Sequence, residues 1–156
     1  MSDTKSIIYR RATMLDLKNS THFVDYWLAG RAKNLGIENA SNDYFVSPSQ
    51  HKSYLKNCIV LIALDGEKVV GWGVKEKSNV LIHLLIAADC RGYGVGGKML
   101  DILNPDIIRS KTDQQTGDPG PFYEKNGYMR IGANLVGKKR NIQFMCKKSK
   151  PKNSLP

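Results

Sequence analysis

Acidic residues run out early in this chain. None follows Glu124, while Lys125, Arg130, Lys138, Lys139, Arg140, Lys147, Lys148, Lys150 and Lys152 place nine positive charges in residues 125–156. Of the formal net charge of +10, only +1 is left for the first 124 residues. Long apolar runs are also missing. The longest, Val80 to Ala88, is interrupted by His83 and falls well short of the roughly 18 residues a membrane span needs, so no membrane partner is expected. The opening "MSDTKSIIYRRAT" has no apolar secretory core, and a cytoplasmic protein is expected. Cysteine is scarce. Cys58, Cys90 and Cys146 are odd in number and show no paired spacing, which argues against a disulfide framework and against a metal site. They read as buried or incidental thiols.

The chain does have 156 residues at 41% hydrophobic content, enough for one domain around a single core. We place that domain at residues 1–148, with 149–156 as a basic, solvated tail. The uneven charge calls for a polyanionic partner, either nucleic acid or a phosphorylated cofactor.

"SIIYRRAT" reads as a short strand, with Thr13 as N-cap of a helix from Met14 to Arg31 that carries Leu17, Val24, Trp27 and Leu28 as its apolar stripe. "GIENASNDYFVSPSQ" reads as a loop, and Pro48 suits the first turn of a second helix to about Leu55. "CIVLIAL" and "KVVGWGV" flank Asp65-Gly66, the pattern of a β-hairpin, and "NVLIHLLIAAD" extends the same sheet. A helix from Gly96 to Leu103, with Met99, Ile102 and Leu103 on one face, ends at Asn104-Pro105. After it come a strand in "DIIRSKTD", a short helix in "DPGPFYEKNG" closed by Asn126-Gly127, and strands in "YMRIGANL" and "NIQFMCK" around the basic turn "GKKR". The order β-α-α-β-β-β-α-β-α-β-β predicts a mixed α/β domain, with no repeat and no linker.

The stretch "CRGYGVGGKML" holds four glycines between an arginine and a lysine, which suits phosphate. As a Walker A loop it fails at Met99, where a hydroxyl is needed for Mg²⁺. As a dinucleotide fingerprint it fails because glycines at 92, 94, 96 and 97 leave none at the later position. Arg-x-x-Gly-x-Gly fits without exception. In that pattern the loop and first helical turn aim successive N–H groups at a pyrophosphate, glycine allows close approach, and the helix dipole adds favourable potential.

At these residues the chain resembles the GNAT superfamily of acyl-CoA-dependent N-acyltransferases. "LLIAADCRGYGVGGKML" is similar to that family's strand-loop-helix for the coenzyme, and "FYEKNGY" to the helix along the pantetheine arm, in the right order and about 30 residues apart. The resemblance implies a mostly antiparallel sheet, flanked by helices and splayed near Ile86, with acetyl-CoA or another acyl-coenzyme A as cofactor. It assigns Arg91, Gly92, Gly94 and Gly96 to the pyrophosphate, with Tyr93, Val95 and Gly97 lending backbone. Leu85 and Ile86 would pair their backbone with the pantetheine amides. Tyr123 matches the tyrosine that protonates the departing thiolate. The family's base often lies on the strand before the loop, where His83 is the one titratable side chain between Asn79 and Asp89. Thr116 and Ala88 stand where many members have asparagine and proline.

Asp113, at the end of its strand, is the candidate to orient an amine or act as a second base. Two acceptor classes follow. One is a small amine or protein. The other is nucleic acid held by Lys138, Lys139 and Arg140, since an aspartate ten residues before the helix tyrosine is similar to phage Mom-type proteins, GNAT-fold modifiers of adenine in DNA.

Overall fold

A computed structural model of the chain describes residues 6–34, 46–90, 92–112, 119–136 and 141–148. Strand β1 (Ile7–Arg11) leads through a 3₁₀ turn (Met14–Asp16) into helix α1 (Leu17–Asn34). Thr13 is the N-cap, and Asp16 completes a capping box by accepting from the Thr13 N–H at 2.8 Å. Arg10 donates two hydrogen bonds to the Asp16 carboxylate, at 2.8 and 2.9 Å. Chiefly through those bonds, the carboxyl is held down at about 2. Helix α2 (Pro48–Asn57) starts with Ser47 as cap and proline in its first turn.

Strands β2 (Cys58–Asp65), β3 (Lys68–Glu76) and β4 (Val80–Ile86) form the expected meander. At the β2–β3 hairpin only Gly66 has positive φ, +64°, and Glu67 does not. This fits a II′ turn better than the I′ turn that Asp-Gly usually signals. Helix α3 (Val95–Leu103), strand β5 (Ile107–Thr112), helix α4 (Gly120–Lys125) and strands β6 (Tyr128–Val136) and β7 (Asn141–Lys147) complete the predicted order. The turn "GKKR" and the tail beyond Lys148 lie outside the described residues.

The seven strands run β1-β2-β3-β4-β5-β7-β6, and every neighbouring pair is antiparallel except β4 and β5. That parallel pair consists of Val80 with Ile107 and Leu81 with Ile108, and then stops. Helices α3 and α4 cover one face, packing Val95, Met99, Leu100, Leu103 and Tyr123 with Leu61, Leu81 and Ile108. Helices α1 and α2 cover the other, where Val24, Tyr54 and Leu55 meet Ile62, Trp72 and Val74. Ile102 does not join Met99 and Leu103: it is 45% exposed. The buried stripe runs instead through Val95, Met99 and Leu103 at spacings of four, with Leu100 beside it.

Two glycines in β3 let α3 lie close to the sheet. A Cβ at Gly71 would sit 2.6 Å from Met99 Sδ and 3.1 Å from the Ala63 Cβ; one at Gly73 would sit 2.9 Å from Leu103 Cδ1. The methionine can yield, but Ala63 is fixed to β2. Gly71→Val should therefore overpack this layer and cost about 1–3 kcal/mol. Urea unfolding followed by fluorescence checks this, and an unchanged midpoint would mean that the layer tolerates bulk at Gly71.

Candidate active site

The place where β4 leaves β5 is set by a register fault. Val74 of β3 faces His83, but Lys75 faces Leu81, so Ile82 is an extra residue in β4. The bulge reverses the alternation of side chains. Leu81 points to the α3/α4 face, and Ile82 and His83 both point to the α1/α2 face. Beyond the bulge the ladder resumes with Leu84 opposite Gly73, Leu85 opposite Trp72 and Ile86 opposite Gly71.

The ladder also determines which backbone groups look into the opening. The Ala87 N–H donates to the Val70 carbonyl at 2.8 Å, which marks that pair as hydrogen-bonded. Alternation then makes Leu85–Trp72 hydrogen-bonded too, and turns the N–H and C=O of Leu84 and Ile86 away from β3 toward the side of β5. Among the described residues no strand pairs with them there. The sequence reading named Leu85 and Ile86. Ile86 is on the open edge, but the backbone of Leu85 is directed at β3, and Leu84 has the position expected of it. The fault is a one-residue phase error that sequence cannot fix, because the phase depends on the bulge. One group on this edge is engaged already: Trp27 of α1 donates its indole N–H to the Ile86 carbonyl at 3.0 Å.

At the mouth of the opening stands the glycine loop. Gly92 and Gly94 have φ of +89° and +77°, conformations that L side chains rarely adopt. Gly94 is the N-cap of α3 and offers no side-chain cap, and its carbonyl accepts from the Lys98 N–H at 3.0 Å. The N–H groups of the first turn, Val95 to Gly97, are left without intrahelical partners, as at any helix start. The remaining glycines serve packing. A Cβ on Gly96 would meet Phe122 Cζ of α4 at 3.0 Å and Ile86 Cγ1 at 3.5 Å, and one on Gly97 would meet Asn126 Oδ1 at 3.2 Å. Thus Gly96 joins loop, β4 and α4 in one place. A diphosphate suits this loop: the backbone is bare, uncapped and open above Gly92 and Gly94, where an added Cβ meets nothing within 4 Å. Tyr93 is 45% exposed beside it and Val95 is buried in the core. Arg91 lies outside the described residues, as do Asp113, Lys138, Lys139 and Arg140.

Tyr123 and His83 lie on opposite faces of the sheet. Tyr123 belongs to the α3/α4 core and is 7% exposed, and burial pushes its phenol pKa up. His83 is half-buried on the α1/α2 face, its ring 5.2 Å from Trp72, with Nε2 3.0 Å from the hydroxyl of Tyr54 on α2. Sequence offers Trp27 only as part of an apolar stripe and does not single out Tyr54; neither carries a local signal for the site, because each reaches β4 from a helix, 59 and 29 residues away respectively. His51 is also buried against Trp72, at 5.4 Å, and desolvation lowers its pKa. Among the described residues there is no cluster of three or more His, Cys, Asp or Glu side chains able to hold a metal, and no helix long and apolar enough to cross a membrane.

The fold is similar to that of known proteins. The family model described as an acetyltransferase (GNAT) domain matches residues 56–130. A GCN5-related N-acetyltransferase of Rhodopseudomonas palustris is similar in structure with a TM-score of 0.66 at 15% identity, over 96% of this chain and 98% of that one. A ribosomal-protein-alanine N-acetyltransferase of Brucella melitensis gives 0.63 at 19% identity, over 91% and 99%. A PaiA N-acetyltransferase of Thermoplasma acidophilum, solved in complex with coenzyme A, gives 0.63 at 16% identity, over 92% and 99%. No curated protein matches the chain by sequence. Residues 56–130, which hold the parting of β4 from β5 and the uncapped glycine loop, are thus similar to a GNAT acetyltransferase domain.

Proposed function

We propose that the protein transfers an acyl group, in the first instance acetyl, from acyl-coenzyme A to an amine. The observation that carries this reading is the open β4 edge at Leu84 and Ile86 beside the bare N-terminus of α3. In this reading, backbone N–H groups of Gly92 to Gly97 hold the diphosphate, with Arg91 adding charge. Leu84 and Ile86 hold the amide-bearing arm as a missing strand would. The bound coenzyme supplies a thioester carbonyl activated toward amines.

The chain's own groups then handle protons and orientation. Tyr123 is the proton donor to the leaving sulfur. Burial favours its neutral phenol, the form able to donate, while making that proton harder to release. Sulfur leaving as an anion in the same dry environment is correspondingly basic. His83 is the group that takes the proton of the amine, with Tyr54 orienting its ring through Nε2. The two sit on opposite faces of the sheet. Coenzyme therefore enters from the side of α3 and α4, and the acceptor from the side of α1 and α2. Asp113 is kept as a group that orients the amine.

Tyr123→Phe removes the phenolic proton and little volume. Turnover, read as thiol release from acetyl-CoA across a panel of amines, peptides and nucleic acids, should fall by roughly 10²- to 10⁴-fold, with coenzyme affinity nearly unchanged. Normal turnover where chemistry limits the rate would reduce Tyr123 to a packing residue.

A second reading concerns the acceptor. The absence of acidic residues after Glu124 favours nucleic acid, as in Mom-type modification of adenine. Binding to duplex DNA should then weaken with salt, at a logarithmic slope of about −0.9 per phosphate neutralised. Replacing Lys138, Lys139 and Arg140 together by Gln should flatten that slope. Filter binding across a salt series decides it, and weak, salt-insensitive binding would leave the small-amine or protein acceptor.

A further inference from the structure

Ser110 of β5 is 1% exposed, and its Oγ has no hydrogen-bond partner among the described residues. A buried hydroxyl in that state is a cost to the fold, because an apolar side chain of similar size would avoid it. Two of its neighbours on this face are apolar. Ile108, two residues back, and Met145 across the strand are both fully buried in the α3/α4 core. The residue directly opposite Ser110 is Gln143. Its amide nitrogen is committed to the carbonyls of Ile131 at 2.8 Å, Phe144 at 3.1 Å and Gly132 at 3.4 Å, and so does not serve Ser110.

Position gives the hydroxyl a use. Ile108 is the last β5 residue paired with β4. Ser110 is therefore the first residue on that face beyond the point where the strands part. It points to the side on which Tyr123 is buried and α3 begins. On β4, Leu84 and Ile86 direct backbone groups toward the same opening, and Ser110 is a buried polar side chain on β5 just beyond the parting.

We propose that Ser110 is a coenzyme-binding residue whose hydroxyl hydrogen-bonds the amide-bearing arm of acyl-coenzyme A inside the split. The inference rests on the coenzyme reading above and adds to it a side-chain contact on β5. Among the described residues the hydroxyl is left unpaired, and its partner arrives with the ligand.

Ser110→Ala tests this with coenzyme A as the probe, by calorimetry and by thermal unfolding with and without the ligand. Without coenzyme the variant should melt at or above the wild-type temperature, since a buried unpaired hydroxyl has gone. Its Kd for coenzyme A should rise roughly 3- to 10-fold, the loss of one neutral hydrogen bond. The stabilisation that coenzyme A gives should shrink accordingly. An unchanged Kd in the variant, with normal binding by the wild type, overturns the role of Ser110 alone. A clearly lower melting temperature without ligand also overturns it, because the hydroxyl would then be bonded within the fold. If the wild type itself fails to bind coenzyme A, the coenzyme reading falls, and this inference with it.

Discussion

A β-strand cannot leave its neighbour without exposing hydrogen-bonding groups, and everything at this site follows from where β4 does so. Buried backbone N–H and C=O groups are nearly always paired. Here the ladder between β4 and β5 closes after two residue pairs, while β5 stays fully paired to β7 along its length. The result is an unfinished sheet edge inside the domain, next to an uncapped helix N-terminus. Both features are deficits that a long, amide-bearing, phosphorylated ligand would fill. The Trp27 indole on the Ile86 carbonyl shows the same deficit met from within the chain.

The closed end of the split is correspondingly well held. Asn79, at φ +71°, accepts from the Asp106 N–H at 3.0 Å, and its own amide donates to the Asn104 carbonyl at 3.3 Å. Lys75 donates to the carbonyl of Leu103, and the buried Tyr128 hydroxyl donates to that of Pro105 at 2.6 Å. These bonds join β3, the β3–β4 turn, the end of α3, the start of β5 and β6 at one place. The strands are pinned where they touch and free to part where they do not. The glycines of β3 let α3 sit low enough for its N-terminus to meet the mouth of the opening. Geometry at the N-terminus of α3 is thus fixed by packing farther along the helix.

What the sequence disclosed was local. The hairpin at Asp65-Gly66, the glycine loop, the stop at Asn104-Pro105 and the close of α4 at Gly127, with φ +95°, are each written in a few adjacent residues. The element order and the GNAT resemblance followed from them. What it did not disclose depends on phase or distance. One extra residue at Ile82 reverses the faces of β4, takes His83 to the α1/α2 side and moves the open backbone from Leu85 to Leu84. Ile102 was misplaced because α3 turns a stripe through Val95 and Leu100 to the core, and three apolar residues do not define that stripe. Tyr54, Trp27 and Ser110 gain their significance only from residues brought to them by the fold. Arg91, Asp113 and the cluster at 138–140 rest on sequence alone.

The central claim is that the open edge of β4 is the coenzyme's seat, and amide hydrogen exchange with and without saturating coenzyme A tests it most directly. Exchange should slow at Leu84 and Ile86 and at Val95 to Gly97. Leu85, already bonded to Trp72, should change little. Unchanged exchange at Leu84 and Ile86 with coenzyme A bound would contradict the account and place the coenzyme elsewhere on the protein.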